Sequence, residues 1–269
     1  MMKEDPFAEF KARQRTMWAT FAPTAMFTTP VAGRLVRFAG ITPGERVLDV
    51  ATGTGVVAVT AARAGAKVSA LDLSPILIEE ARTNGRIAGC DDIAWTDGDA
   101  EDLPYADASF DVVLSQFGHM FAPRPDVVVG EMHRVLRPGG RVAFATWPPE
   151  HLVGRMFALI ARHVPPPPGA AAPPQWGDPA VVTERLTPQF EAPFFERGMY
   201  IFPALSLAHY RGFLERTIGP LQKLVESLAD DPAKLSSIRA EFESMARPHY
   251  VDNEVRQDFL LTRANVRSS

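Results

Sequence analysis

A glycine-rich turn and three aspartates are the residues of this sequence whose types and spacing could do chemistry. The turn, Ala51 to Gly55, separates a short apolar run from a segment with helical periodicity. Glycine at 53 and 55 leaves no Cβ in the way, so backbone N–H groups and a helix N-terminus can approach a ligand closely. The turn predicts a nucleotide-type binding site in which Gly53 and Gly55 serve the ligand and not core packing. It also fits the dinucleotide pattern G-x-G-x-x-A, so alone it leaves NAD and other adenosyl ligands open.

The three aspartates sharpen this prediction because each stands near the carboxyl end of a predicted strand. Asp49 precedes the turn, where its charge would repel a pyrophosphate but suit a cation or an amino group. Asp72 ends the second strand, where a carboxylate can accept hydrogen bonds from both ribose hydroxyls. Asp99 follows the third strand, where it can accept from an adenine amino group. Together they indicate an adenosine with a positively charged tail, which disfavours NAD.

The elements that must position these residues alternate between strands and helices. Short runs rich in Val, Ile, Leu and Phe alternate with segments of helical period, a pattern typical of a parallel sheet covered on both faces. The predicted strands are 47–51, 68–72, 93–95, 110–114, 141–146, 194–202 and 255–263. We therefore expect an α/β fold, a Rossmann-like seven-stranded, mostly parallel sheet with helices on both faces plus a helical cap.

The chain changes character after Trp147. Six of the ten residues from Pro165 to Pro174 are proline, which removes backbone donors and forbids a regular helix, so we predict a semi-rigid loop there. Helical segments follow at 205–218, 220–228 and 232–247. We interpret these helices as a cap over the sheet edge and not as a second domain.

Composition excludes several classes of function. Hydrophobic residues make up 46% and charged residues 22% of the 269 residues, as in an ordinary globular protein. The net charge of -4 provides no basic surface for a phosphate backbone, so we expect no nucleic-acid partner. A single cysteine, Cys90, excludes an internal disulfide and fits a cytoplasmic location. We expect no signal peptide, no membrane span and, because the six histidines lack metal-ligand spacing, no metal.

Four motifs occur together in the order that a known family shows. They are VLDVATGTG (47–55), ALDLS (70–74), GDAEDLPYADASFDVVLSQFGHMF (98–121) and EMHRVLRPGGRVAFATW (131–147). Their sequence resembles the class I S-adenosylmethionine-dependent methyltransferases, in the methyltransferase type 11 branch that includes the quinone C-methyltransferases of ubiquinone and menaquinone biosynthesis. Ala51 departs from the commonest pattern, which has glycine there, although the quinone branch often carries alanine.

The resemblance implies that S-adenosylmethionine is the cofactor and that the chain is an enzyme. The Met17-Trp18-Ala19 segment looks like the element that folds over the methionine end of the cofactor in close relatives. The resemblance divides the chain into an N-terminal helical segment closing over the cofactor (1–45), a cofactor-binding Rossmann-like core (46–147), and cap helices with the last two strands (148–269). We expect the cofactor site to comprise Trp18, Asp49, Thr52, Gly53, Thr54, Gly55, Asp72, Leu73, Asp99, Ala100 and Gln116.

The resemblance also implies that the reactive methyl points toward the loop after the fourth strand. We therefore predict an acceptor pocket formed by His119, Met120, Phe121 and Trp147. Methyl transfer from a sulfonium is an in-line displacement, so a general base matters only when the acceptor must lose a proton. His119 is our candidate base, and the alternative is that it only packs in the wall of the pocket.

Three functions remain open from the sequence. The first is methyl transfer to an O, N or C atom of a small-molecule acceptor. The second, within the same class, is a quinone or prenylated-ring C-methyltransferase. The third is a cofactor-binding regulator without catalysis. A nicotinamide-dependent oxidoreductase is disfavoured by Asp49, and the acceptor and the oligomeric state, monomer or homodimer, are not encoded in any motif.

Overall fold

The structure is a computed structural model that describes residues 5–267. The first four residues of the predicted N-terminal segment and the last two of the predicted C-terminal region lie outside the described residues. The strands are β1 (Arg46–Val50), β2 (Lys67–Asp72), β3 (Ala94–Asp97), β4 (Phe110–Gln116), β5 (Leu136–Thr146), β6 (Phe194–Pro203), β7 (Tyr250–Val251) and β8 (Glu254–Asn265). The helices are α1 (Ala8–Met17), α2 (Ala22–Ala39), α3 (Val56–Arg63), α4 (Pro75–Ile87), α5 (Pro125–Val135), α6 (Leu152–His163), α7 (Pro179–Leu186), α8 (Leu207–Thr217), α9 (Gly219–Ser227) and α10 (Pro232–Ala246). Within residues 5–267, no helix combines the length and the apolar character that crossing a bilayer requires.

The strands form one sheet in the order β3-β2-β1-β4-β5-β8-β6. Strands β1 to β5 pair in parallel, while β8 is antiparallel to both of its neighbours, β5 and β6. The predicted seven-stranded, mostly parallel sheet is confirmed, and the structure adds the two-residue strand β7 beside β8. The chain order reverses between β1 and β4, and ligands bind outside the carboxyl ends of the strands at such a switch point.

The central strands are buried because helices cover both faces of the sheet. Val47, Leu48 and Val50 of β1 are fully excluded from solvent, as expected for a parallel strand packed on two sides. One hydrophobic cluster runs from Val31 in α2 to Val266 after β8 and includes the buried residues of the cap helices. The cap therefore shares the core of the sheet.

Two segments differ from a simple alternation of strands and helices. Strand β5 begins at Leu136, five residues before the predicted strand, because Leu136 pairs with Phe110 before a register shift. The proline-rich segment forms no α-helix, as predicted, and ends in the 3-10 helix Pro173–Gly177, which buries Trp176. The amide of Ala171 donates to the carbonyl of Pro123, so this loop lies against the mouth of the cavity described below.

Candidate functional site

The turn between β1 and α3 has an unusual backbone. Ala51, Gly53 and Gly55 have φ angles of 56°, 56° and 83°. This left-handed region costs a residue with a Cβ roughly 1–2 kcal/mol, so Ala51 holds a backbone conformation that glycine would adopt with less strain. A Cβ on Gly118 would lie 2.5 Å from the Cβ of Ala51, so the turn after β4 approaches the first turn closely only because residue 118 is glycine.

The two glycines of the turn have different surroundings. A Cβ on Gly53 would have no atom nearer than the Phe21 ring, at 3.9 Å. A Cβ on Gly55 would lie 2.8 Å from the Trp95 ring and 3.1 Å from the Cβ of Ala81. The expectation that both glycines serve only the ligand is therefore wrong for Gly55, because its missing side chain makes room for a ring packed against α4.

Asp49 is a buried carboxylate with one free oxygen. It is 1% exposed, and its Oδ2 accepts hydrogen bonds from the Thr52 hydroxyl and the Ala58 amide, at 2.5 and 3.0 Å. Among the described residues its Oδ1 has no partner. Burial, with the nearby Asp72 charge, raises the pKa of Asp49 to about 7. A buried carboxylate oxygen without a partner suits a bound ammonium group.

Asp72 lies beside it at the end of β2. Its two carboxylate oxygens accept from the Gly53 and Ser74 amides, each at 2.8 Å. Burial raises the pKa of Asp72 to about 6. Each oxygen has a further lone pair, so the carboxylate can still accept from two vicinal hydroxyls. Leu73 also lines the cavity at this point.

Asp99 marks the outer end of the cavity, where α1 closes over it. Its Oδ1 accepts from the Glu101 amide at 2.9 Å, and its Oδ2 pairs with Lys11 Nζ at 2.7 Å. Lys11 is 8% exposed and also pairs with Asp5 and Glu101, at 2.7 and 2.5 Å. These three carboxylates lie close enough to hold a metal ion, but the Lys11 ammonium stands among them. The cluster is thus an ion-pair network that attaches the N-terminal helix to the core.

An aromatic chamber continues from the carboxylates past Gln116, the last residue of β4. The Gln116 amide nitrogen donates to the Thr28 carbonyl at 3.2 Å, and within residues 5–267 its buried Oε1 has no hydrogen-bond partner. The Trp18 ring lies 4.5 Å from the Phe121 ring, and its N–H donates to Gln14, so the predicted N-terminal element contacts the loop after β4. The other aromatic residues of the wall are Phe10, Phe21, Phe27, Phe117, Trp147, Phe157, Tyr200, Phe202 and Tyr210.

His119 borders the cavity, but its ring packs into the core. Its centroid lies 4.7 Å from Phe144 and 4.6 Å from Trp176, and neither ring nitrogen has a hydrogen-bond partner among the described residues. Burial, with the Arg185 charge, lowers the pKa of His119 to about 3. An imidazole this weakly basic is a poor proton acceptor at neutral pH. The geometry therefore argues against the general-base hypothesis and favours the packing alternative.

The structure brings most of the predicted site residues to one cavity. The predicted residues in its wall are Trp18, Asp49, Thr52, Gly53, Thr54, Asp72, Leu73, Asp99, Ala100, Gln116, His119, Phe121 and Trp147. Gly55 and Met120 are not in the wall, so their assignments to the cofactor site and the acceptor pocket stay predictions. The 3-10 turn His119–Phe121 directs Phe121 to the cavity and leaves Met120 1% exposed in the core.

Sequence reasoning missed Lys11 and the cap residues Tyr200, Tyr210 and Gln257, all in the cavity wall. A lysine in a polar helix normally indicates solvent exposure, so nothing in the sequence indicates that Lys11 is buried. The Met-Tyr-Ile-Phe run of β6 has no polar–apolar alternation, so only the structure shows that Tyr200 and Phe202 are buried while Met199 and Ile201 are exposed.

These residues fit S-adenosylmethionine. The orphaned Asp49 Oδ1 suits the ammonium group, the Asp72 carboxylate suits the ribose hydroxyls, and the aromatic rings beyond Gln116 suit a sulfonium. A Cβ on Gly53 would enter the same space. Each of these assignments of a residue to a part of the cofactor remains a prediction.

Comparison with known proteins relates the chain to methyltransferases. The family described as a methyltransferase domain matches residues 48–144. Uncharacterized protein Rv1403c of Mycobacterium tuberculosis is 32% identical over 255 residues, which cover 93% of each chain. Demethylmenaquinone methyltransferase of Clavibacter sepedonicus is 41% identical over 125 residues, which cover 46% of this chain and 50% of that one.

Solved structures share the fold. Protein BH2331 of Bacillus halodurans C-125 superposes with a TM-score of 0.61 at 22% identity, covering 87% of this chain and 97% of that one. Phosphoethanolamine N-methyltransferase 2 of Haemonchus contortus, solved with S-adenosylhomocysteine, gives a TM-score of 0.56 at 16% identity, covering 89% and 53%. Identities this low relate the chains by fold alone.

The cofactor affinity should fall as pH decreases from about 8 to about 5. Asp49 must be ionised to accept from an ammonium, and its pKa without ligand is about 7. Below that pH binding must displace a proton, so the dissociation constant should rise by up to about tenfold per pH unit, and between that pH and about 8, where the cofactor's amino group begins to lose its proton, the constant should be nearly level. Calorimetry in buffers of different ionisation enthalpy should detect proton release at acidic pH. A dissociation constant independent of pH, or an Asp49→Asn variant with the parent's profile, would contradict the assignment.

Substitution of the two glycines should separate binding from stability. Gly53→Ala places a methyl in the cavity, so it should weaken cofactor binding and lower stability by only about 1 kcal/mol, the strain of its positive φ. Gly55→Ala places a methyl against Trp95 and should destabilise the fold by several kcal/mol through overpacking and strain. Thermal denaturation with and without S-adenosylhomocysteine checks both. Equal losses of stability in the two variants would contradict the different surroundings described above.

Proposed function

The chain belongs to the S-adenosylmethionine-dependent methyltransferases, and on this premise we propose that it methylates a predominantly apolar small molecule held in the aromatic chamber. The observation that carries the proposal is the continuity of one cavity. The same wall that holds Asp49 and Asp72 continues into the rings of Phe117, Trp147 and Tyr200. An acceptor in that chamber would adjoin the cofactor.

Closure of the chamber supports transfer chemistry. The N-terminal segment meets the cap directly, since the Thr24 hydroxyl donates to the Thr217 hydroxyl at 2.9 Å. A Cβ on Gly219 would lie 2.3 Å from Met17, which shows how closely α9 packs on the end of α1. Exclusion of water strengthens the electrostatic interactions within a site and helps hold reactants in a near-attack geometry.

Methyl transfer from a sulfonium depends on the positioning of the two reactants more than on proton transfer by the protein. S-adenosylmethionine supplies an activated methyl group on a sulfonium that is already a good leaving group. The carboxylates of Asp49 and Asp72 would hold the ammonium group and the ribose of that cofactor, and the stacked rings of Phe117 and Trp147, 4.1 Å apart, would orient the acceptor. His119 packs in the core, so in this proposal no side chain of the loop after β4 removes a proton.

C-methylation of a quinone or prenylated ring is the second candidate. Its support is the 41% identity with the demethylmenaquinone methyltransferase, together with the apolar chamber. That match covers less than half of this chain, and the family match ends at residue 144, before the cap that supplies Tyr200 and Tyr210. The comparison therefore supports the cofactor half of the proposal more strongly than the acceptor half.

Transfer of a labelled methyl group should distinguish the candidates. Incubation with methyl-labelled S-adenosylmethionine and a panel of apolar phenols, naphthoquinols and charged amines should label the apolar members. Asp49→Asn is the matched control, since it should abolish labelling while the chamber stays intact. Labelling of charged amines alone would contradict the apolar acceptor. Cofactor binding without labelling of any member would favour the non-catalytic regulator.

His119→Phe should leave turnover within about threefold of the parent. In the part of the chain that the structure describes, the buried imidazole makes no hydrogen bond, so replacing it by an apolar ring of similar shape should also preserve or raise the melting temperature. Steady-state kinetics on any acceptor found above, with thermal denaturation, provide the measurement. A fall in turnover of about 10²-fold at unchanged cofactor affinity would restore the general-base hypothesis.

A further inference from the structure

Three buried polar side chains stand together in the otherwise apolar part of the chamber wall. Tyr200 on β6 and Gln257 on β8 are direct cross-strand partners, and Tyr210 projects from α8 to the same point. All three line the cavity, and their exposed fractions are only 6%, 4% and 1%. Burial of a polar group is unfavourable unless the group finds a hydrogen-bond partner. Three polar side chains in an apolar wall therefore indicate a functional role.

The hydrogen bonds among the three leave one hydroxyl proton without an acceptor. The Tyr200 hydroxyl donates to the Gln257 carbonyl oxygen, and the Gln257 amide nitrogen donates to the Tyr210 oxygen at 2.9 Å. Among the described residues the Tyr210 proton meets no acceptor. Turning the amide round exchanges the roles of the tyrosines, but a single carboxamide oxygen between two phenols still leaves one O–H unsatisfied.

The surroundings of Tyr200, Gln257 and Tyr210, called the trio below, are aromatic and uncharged. The Tyr200 ring lies 6.3 Å from Phe117, and the Tyr210 ring lies 5.0 Å from Phe202. The charged residues of the described wall, Lys11, Asp49, Asp72 and Asp99, belong to the carboxylate end of the cavity. A charged acceptor would therefore lose its hydration at the trio without gaining an opposite charge there.

We propose that Tyr200, Gln257 and Tyr210 anchor the methyl acceptor, which is an uncharged apolar molecule bearing a carbonyl or similar oxygen that accepts the unpaired phenolic proton. The inference rests on the proposed function and adds to it the polar group that the acceptor must carry. The ring or chain of the acceptor packs among the aromatic side chains, and its oxygen fixes which atom faces the cofactor. The trio therefore consists of binding residues, which hold the acceptor in the orientation that methyl transfer requires.

The chemistry of the phenols fits a donor role. Burial raises the pKa of both Tyr200 and Tyr210 above its ordinary value, so both hydroxyls keep their protons across the physiological range. A neutral phenol donates one strong hydrogen bond and cannot act as a base. The anchor therefore distinguishes an acceptor with an oxygen from a hydrocarbon of the same shape.

Binding of three matched probes tests the proposal. The probes are 1-tetralone, tetralin, which lacks the carbonyl, and the anionic 1,2,3,4-tetrahydro-1-naphthoate, each titrated by calorimetry into the whole protein saturated with S-adenosylhomocysteine. We expect 1-tetralone to bind about 3- to 10-fold more tightly than tetralin, the ratio that one net hydrogen bond provides. We expect the anion to bind most weakly of the three.

Removing the phenolic hydroxyls should abolish this discrimination. In the double variant Tyr200→Phe/Tyr210→Phe the ratio of the two dissociation constants should fall to about one, with tetralin affinity retained. Tyr250→Phe is the matched control, because the Tyr250 hydroxyl bonds Ala204 and Asn253 and is not in the cavity wall. If the double variant fails to fold, the single Tyr210→Phe variant should still lower the ratio at least about twofold.

The shift in melting temperature caused by S-adenosylhomocysteine reports cofactor binding separately, so failure of the proposed function is distinguished from failure of the anchor. Equal affinity for 1-tetralone and tetralin in the parent protein would overturn the anchor. So would tightest binding of the anion, or an unchanged ratio in the double variant. Absence of binding by all three probes up to their solubility would overturn the uncharged apolar chamber itself.

Discussion

Two carboxylates buried side by side at the carboxyl edge of the sheet are the constraint on which the site depends. Asp49 and Asp72 end adjacent parallel strands, so the topology forces like charges together in a place from which water is excluded. Their raised pKa values, about 7 and about 6, measure the cost of that arrangement. Amides of the turn and of α3 offset part of it. A cationic ligand would offset more, so the protein is prepared electrostatically for such a ligand.

The turn that joins β1 to α3 meets a second constraint. Its backbone adopts left-handed angles at three positions, one of them occupied by Ala51, and the loop after β4 packs on it through Gly118. The loop after β4 is therefore coupled to the turn by direct packing at Gly118. This coupling explains how a single edge of the sheet supplies both the carboxylates and the start of the aromatic chamber, although β1 and β4 are far apart in sequence.

Segments from both ends of the chain enclose the aromatic chamber. The N-terminal helix is held by Lys11, whose ammonium stands among three carboxylates, with Arg124 paired to Glu101 behind it. The cap contributes Tyr200, Tyr210 and Gln257 from β6, α8 and β8. Charge is thus concentrated at the cofactor end, whereas the cap provides aromatic area and one small polar group. This division matches a reaction in which the cofactor is always the same molecule and the cap selects the acceptor.

The sequence by itself determined the fold class, a mostly parallel sheet, and the residues of the turn, because these depend on local signals: periodicity, glycine positions and aspartates near the ends of strands. It located β1, β2, β4, β6 and β8 to within a few residues. It could not decide the roles that depend on what packs against a side chain. Gly55 makes room for Trp95, Met120 faces the core, and the geometry around His119 favours packing over catalysis. Lys11 and the Tyr200, Gln257 and Tyr210 trio were decided only by the tertiary structure, because burial and cross-strand register join residues that no motif connects.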